Sequence, residues 1–233
     1  MKMNYDNYWT NKTKKREYND YYGRRYDKVW EFLLPSSFNI LDMGGGNGQF
    51  LEYINNLFCG ADLRETATIM DISMDGLEIA RKKGFFAVRK DIQKPIKTHK
   101  KFKLIYLAET LEHLHNPNIA LVNAYNMLDN GGRLIVLQPN AKADGKHHIR
   151  QYTYNEIRND IIKSGFIIEK ELVTPAFEYW TINKKDLLSF NPKLWLCFLL
   201  TLLPYGLRKE LAENHPSKFA LFYMFKARKR IIK

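Results

Sequence analysis

The stretch FNILDMGGGNGQFLEYI, residues 38–54, decides how the chain is read. An apolar run ends in Asp42, meets the spacing Asp42-x-Gly44-x-Gly46-x-Gly48, and gives way to a helical alternation. Glycines grouped this way permit left-handed backbone and let main chain approach a ligand closely. Two phosphate-binding versions of such a turn fail on spacing. The dinucleotide pattern G-x-G-x-x-G needs its last glycine where Gln49 stands, and a P-loop needs a Lys followed by Ser or Thr.

Working outward, apolar runs suited to buried strands fall near Ile40–Met43, Thr68–Asp71, Phe85–Arg89, Lys103–Ala108, Arg133–Gln138, Phe166–Val173 and Leu221–Lys226. Helical patterns lie between them at Gln49–Leu57, Met74–Lys83, Pro117–Leu128 and Tyr154–Ser164. Helix-ending signals follow two of these, Lys82-Lys83-Gly84 and Asp129-Asn130-Gly131-Gly132. Strand and helix alternating in this way predict an α/β fold with a mostly parallel sheet and helices on both faces.

The second and third strands each end in or beside an acid, Asp71 in TIMDIS and Asp91 in VRKDIQKP. With Asp42 they bring three carboxylates to the carboxyl edge of the sheet, where such folds bind ligands. Three acids would repel a pyrophosphate. They suit a nucleoside that carries a positive charge and no phosphate, a description that S-adenosylmethionine meets. Asp71 is placed to accept hydrogen bonds from a ribose diol, Asp91 to accept them from an adenine amino group, and Ile92 to pack on the ring.

The segments ILDMGGGNG, MDIS, KDIQKP, FKLIYLAETLEHLHNP, MLDNGGRLIVLQPN and YTYNEIRNDIIKSGF together resemble the successive motifs of class I S-adenosylmethionine-dependent methyltransferases. The resemblance runs from about Tyr26 to Val173 in the right order. It implies a Rossmann-like sheet of seven strands, the last antiparallel, with an apolar helical insertion before that last strand. It also implies that Gly44, Gly45, Gly46 and Gly48 lie along the methionine portion of the cofactor. Asp71 and Ile72 would hold the ribose, Asp91 and Ile92 the adenine, and Asp42 and Glu109 would line the same site. Two residues depart from the family pattern. Gly45 stands where Cys, Ser or Thr is common, and Lys103 replaces a frequent Asp; neither is expected to impair cofactor binding.

Methyl transfer from a sulfonium needs positioning and exclusion of water more than covalent help. A hydroxyl acceptor also needs a base or a metal near the transferred methyl. Glu109, Glu112 and His113 in AETLEHLH can share a helical face, and His148 in KHHIRQYTYNEI follows the fifth strand. His148, or else His113, is the expected base. The E-x-x-E-H spacing resembles small-RNA 2′-O-methyltransferases and ubiquinone-pathway O-methyltransferases, which implies a divalent metal on Glu109, Glu112, His113 and His148. The alternative is that Glu112 and His113 cap and orient the helix that begins near Asn116. Thr153 is the expected N-cap of the helix after YT. His99, His115, His147 and His215 read as surface residues.

The 233 residues carry a formal net charge of +12, concentrated toward both ends of the chain. That balance admits nucleic acid, an anionic membrane surface or a phosphorylated substrate as partner. Cys59 and Cys197 have neither metal-ligand nor disulfide spacing, and no apolar signal stretch opens the chain, so a cytoplasmic setting is expected. Residues 1–25 read as an aromatic-rich helical cover, and residues 26–233 as the methyltransferase domain. An apolar insertion at about 180–207 includes LWLCFLLTLLPYGL and is flanked by lysines and arginines. Its apolar run is shorter than the roughly 20 residues a bilayer span requires. A lid, a membrane contact, a dimer surface and a core helix all fit it. The expected function is O-methylation of a small molecule, glycan or lipid-linked intermediate. An RNA 2′-O-methyltransferase and a non-catalytic S-adenosylmethionine-binding protein are the alternatives.

Overall fold

The computed structural model describes residues 39–57, 62–140, 148–175, 203–216 and 220–230. Strands β1 (Ile40–Met43), β2 (Thr68–Asp71), β3 (Phe86–Arg89), β4 (Phe102–Ala108), β5 (Leu128–Pro139), β6 (Phe166–Pro175) and β7 (Ala220–Lys229) form one sheet in the order β3-β2-β1-β4-β5-β7-β6. β7 runs antiparallel to both of its neighbours, while the remaining pairs are parallel. This is the seven-stranded, mostly parallel arrangement expected, with its last strand reversed.

Helices α1 (Gln49–Leu57), α2 (Leu63–Thr66), α3 (Met74–Lys82), α4 (Pro117–Met127), α5 (Tyr154–Lys163) and α6 (Tyr205–Asn214), with a 3-10 turn at Leu111–His113, complete the described elements. Side chains alternate across the strands, so each central strand feeds two cores. On one face Leu41, Ile105, Leu134 and Val136 pack with Leu121 and Ala124 of α4 and Ile157 and Ile161 of α5. On the other, Ile40, Ile69, Ile135 and Leu137 pack with Phe50, Leu51 and Ile54 of α1 and Leu77 and Ala80 of α3.

Two local differences from the sequence reading have clear causes. Helix α4 ends at Met127 and Leu128 turns directly into extended backbone, so Asp129 to Gly132 lie inside β5. Leu128 pairs with Phe102, and a register shift before the Leu104–Arg133 pair absorbs the extra residues. The short helix α2 escaped prediction, although Asp62 marks its start by accepting a hydrogen bond from the Arg64 amide. Thr153, by contrast, caps α5 as expected, and Glu156 completes a capping box with it.

The proposed N-terminal cover, Cys59, Cys197, His147 and nearly all of the apolar insertion lie outside the described residues. What is visible is where the insertion departs and returns. β6 runs parallel to β5 because both oppose β7, so Pro175 lies at the carboxyl edge of the sheet. β7 begins at that edge with Ala220. Just before it, Pro216 accepts hydrogen bonds from Asn140 Nδ2 (3.3 Å) and the Tyr223 hydroxyl (3.4 Å). No helix among the described residues is long and apolar enough to cross a membrane.

Gly48 ties the glycine turn to the fold. Its φ is +72°, and a Cβ there would sit 2.6 Å from Ile69 Cδ1, in the core under α1. Gly131 has a similar φ of +73° but open space around it. Gly48→Ala should therefore destabilise the protein by about 2–4 kcal/mol, combining overpacking with backbone strain. Gly131→Ala should cost about 1 kcal/mol from strain alone. Denaturant titration of the two variants measures the difference, and equal losses would contradict this account of Gly48.

Candidate functional site

The site is built at the carboxyl edge, where strand order reverses between β1 and β4. β1 ends and the chain turns through glycines before α1 starts. The Gly44 amide donates to the Met70 carbonyl (2.7 Å), and the Gly46 amide donates to Asp71 Oδ2 (2.8 Å). Asp71 Oδ1 accepts from the Ser73 amide at 2.8 Å. Asp71 is thus already engaged in shaping the turn. Ile72 beside it is 38% exposed, unusual for an isoleucine at a strand end.

Asp42 lies deeper. It is only 2% exposed, and its Oδ2 has no hydrogen-bond partner among the described residues. Burial first, and then the charge of Asp71, push its carboxyl up to about 8. A Cβ at position 45 would fall 2.4 Å from the Asp42 carboxyl. Glycine at 45 leaves the room that the buried acid occupies.

Asp91 follows β3 on the same rim, half-buried, accepting from the Gln93 amide (3.0 Å) with Lys94 Nζ at 3.7 Å. Ile92 is buried in the core beside Met43 and Met70. The sequence-predicted acids Asp42, Asp71 and Asp91 thus do stand at the ends of three adjacent strands.

The second constellation is smaller than expected. Glu109 follows β4 with φ +48°, a left-handed conformation uncommon outside glycine, and its amide donates to the Leu137 carbonyl (2.9 Å). A single 3-10 turn at Leu111–His113 follows, and Glu109 is not among the groups whose ligand atoms converge there. Glu112, His113 and His148 do converge, each offering a ligand atom within 4.8 Å of the others. Glu112 Oε1 lies 4.0 Å from His113 Nε2, and the two imidazoles meet edge to face with centroids 5.0 Å apart. His148 is held there by its neighbours: the Ile149 and Arg150 amides both donate to the Glu112 carbonyl at 3.0 Å. Ile149 itself is 50% exposed beside the histidine. His99, His115 and His215 are exposed, as expected.

Glu112 does not cap α4. Its side chain is 1% exposed and its Oε2 accepts from Gln138 Nε2 at 3.1 Å. Gln138, near the end of β5, was absent from the sequence-predicted set. The signal was present: a polar residue closes the apolar run LIVLQ, at a position whose parity points into the core.

With this geometry in place, comparison with known proteins identifies the family. The pattern of the methyltransferase domain family matches residues 15–172, more than half of the chain, and the chain belongs to that family. Curated protein sequences give no match. Among solved structures, a SAM-dependent methyltransferase from Archaeoglobus fulgidus is similar with a TM-score of 0.63 and 17% identity, covering 96% of this chain and 100% of that one. The N-methyltransferase NodS from Bradyrhizobium japonicum, in complex with S-adenosyl-L-homocysteine, gives a TM-score of 0.59 at 15% identity, covering 92% of this chain and 90% of that one. The [4+2]-cyclase SpnF gives 0.64 at 16% identity, covering 94% of this chain and 85% of that one. These likenesses establish a shared fold.

Asp42 makes a pH prediction. Its folded pKa, about 8, lies above the ordinary carboxyl value of 3.8, so between them the folded protein holds a proton that the unfolded chain has lost. Its contribution to stability is complete below pH 4 and falls as pH rises toward 8, by up to about 1.4 kcal/mol per pH unit. The unliganded melting temperature should decline over that window, and Asp42→Asn should flatten the decline. Differential scanning calorimetry across pH 4–9 checks it; identical profiles would refute the assignment.

Proposed function

We propose that this chain, as a member of the methyltransferase domain family, binds S-adenosylmethionine at the glycine turn and methylates an oxygen of a small-molecule, glycan or lipid-linked acceptor. The observation that carries the cofactor assignment is the buried Asp42 carboxyl, with an oxygen unpartnered among the described residues, beneath a turn flanked by acids. A cationic ligand is what such a group prefers; a diphosphate would be repelled. The cofactor supplies an electrophilic methyl on a neutral leaving group. The remaining requirements fall to the chain.

Asp71 and Ile72 offer a polar and an apolar contact for the ribose side of a nucleoside, and Asp91 an acceptor for its base. His148 is the base for the acceptor hydroxyl, with His113 beside it as the alternative. Both are half-buried at the rim, where a proton can pass on to solvent. The acceptor is placed by what surrounds His148. Ile149 presents an apolar side chain there. The insertion between β6 and β7 also leaves from and returns to this edge of the sheet. The exposed Ile149 and the apolar sequence that separates β6 from β7 favour an acceptor with an apolar part, ahead of RNA.

A second reading has its own observation. One buried carboxylate and two imidazoles whose ligand atoms lie within 4.8 Å of one another match the donor set of a divalent cation such as Zn, Mn or Mg. In that reading Glu112, His113 and His148 hold the ion, which would lower the pKa of the acceptor hydroxyl.

Calorimetric titration with S-adenosylmethionine tests the cofactor reading. Binding should tighten as pH rises to about 8 and then level off, because below that value Asp42 must release its proton to meet the cation. Asp42→Asn should remove the dependence; no binding at any pH would instead support a chain that keeps the fold without the activity. A screen of phenols, glycans, lipid-linked sugars and RNA with radiolabelled methyl donor then assigns the acceptor, and label on RNA alone would replace the small-acceptor reading. With that acceptor, Glu112→Ala should abolish activity and chelator sensitivity together. Wild-type activity that withstands a strong chelator would leave His148 as a metal-free base.

A further inference from the structure

The side-chain parity of β5 is broken at one buried position. Ile135 and Leu137 point into the α1–α3 core, while Leu134 and Val136 point into the α4–α5 core. Gln138 continues the second series, paired across the sheet with Tyr223, which lies in that same core. An apolar residue is what this place calls for. Glutamine is there instead, 1% exposed, and its Oε1 has no partner among the described residues. Leaving a buried carbonyl oxygen unsatisfied is costly, so packing alone does not account for the choice.

The other end of the amide does account for it. Gln138 Nε2 donates to Glu112 Oε2 at 3.1 Å, within a buried environment where a hydrogen bond to a carboxylate is strong. Glu112 Oε1 is the oxygen 4.0 Å from His113 Nε2. One carboxylate oxygen is therefore fixed by β5, and the other faces the imidazoles. The Glu112 backbone carbonyl receives the Ile149 and Arg150 amides, so the same residue also fixes the approach of His148. Gln138 is the rigid-strand support of an arrangement otherwise carried by a 3-10 turn and a loop.

We infer that Gln138 is a positioning residue for a divalent-cation site formed by Glu112, His113 and His148, holding the Glu112 carboxylate in the orientation that ligation needs. The inference rests on the second reading given above and extends it beyond the ligands themselves. Groups that hydrogen-bond a metal ligand orient it and tune its basicity, and losing one lowers metal affinity by about 10–100-fold.

Cobalt(II) serves as the probe, followed by its d–d absorption and by calorimetry on the 233-residue chain. Wild type should bind one cobalt ion, and Gln138→Met, which keeps the volume and removes the donor, should bind it about 10–100-fold more weakly. Two controls separate positioning from packing. Val136→Ala loosens the same core without touching Glu112 and should leave cobalt affinity unchanged, and S-adenosylhomocysteine binding should be retained in Gln138→Met if the fold is intact. Should Gln138→Met fail to fold, Gln138→Asn, whose amide is one methylene too short to reach Glu112, takes its place with the same expectation. Equal cobalt affinity in wild type and the Gln138 variant, or an equal loss in Val136→Ala, overturns the inference while leaving the cation site standing. Absence of cobalt binding in wild type overturns both.

Discussion

The hydrogen bond from the Gly46 amide to the Asp71 carboxylate is the constraint on which the carboxyl edge depends. It ties the turn after β1 to the end of β2, and with the Gly44 amide on the Met70 carbonyl it fixes where α1 begins. Once α1 is placed, Gly48 packs against Ile69 and the turn is locked to the core beneath it. The backbone of the turn is thus shaped by the protein's own carboxylate. Such preorganisation reduces the ordering cost of binding.

The same edge concentrates buried polarity that a stable sheet does not need. Asp42 and Gln138, near the ends of β1 and β5, and Glu112, in the 3-10 turn after β4, are each nearly inaccessible among mostly apolar buried neighbours. Buried carboxyls raise the free energy of the fold unless they are paired or protonated. Asp42 meets this by holding its proton, and Glu112 by accepting from Gln138. Strain adds to the cost at Glu109, whose left-handed backbone redirects the chain from β4 into the 3-10 turn. Costs gathered at one end of the molecule, around the crevice where strand order reverses, are the physical mark of a site. The opposite edge carries the ordinary business of ending helices, as where Lys101 and Lys229 donate to the carbonyls at the end of α4.

The charge of the molecule is distributed with the same logic. Net charge is +12, yet the crevice itself is lined by acids. An acid-lined crevice in a basic protein favours cations locally, where partial burial keeps such interactions strong, while exposed charges are screened within about a Debye length. Polyanions attracted to the basic surface gain nothing from the acid-lined crevice, so net charge alone is a poor guide to the acceptor.

Periodicity and glycine spacing were enough to place all seven strands and four of the helices, because alternation and amphipathic patterning are local properties of the chain. The three acids were legible for the same reason: each sits at a fixed offset from an apolar run, and a parallel sheet brings strand ends to one edge. What the sequence could not determine was which polar groups would meet across the sheet. Gln138 and Glu112 are 26 positions apart and touch only because β4 and β5 pair in register. The left-handed backbone of Glu109 and the closeness of Gly45 to the Asp42 carboxyl are likewise tertiary facts that no local pattern announces. Local pattern fixes elements because it is written in neighbouring residues; the site's geometry is decided by long-range packing, which no stretch of the chain contains by itself.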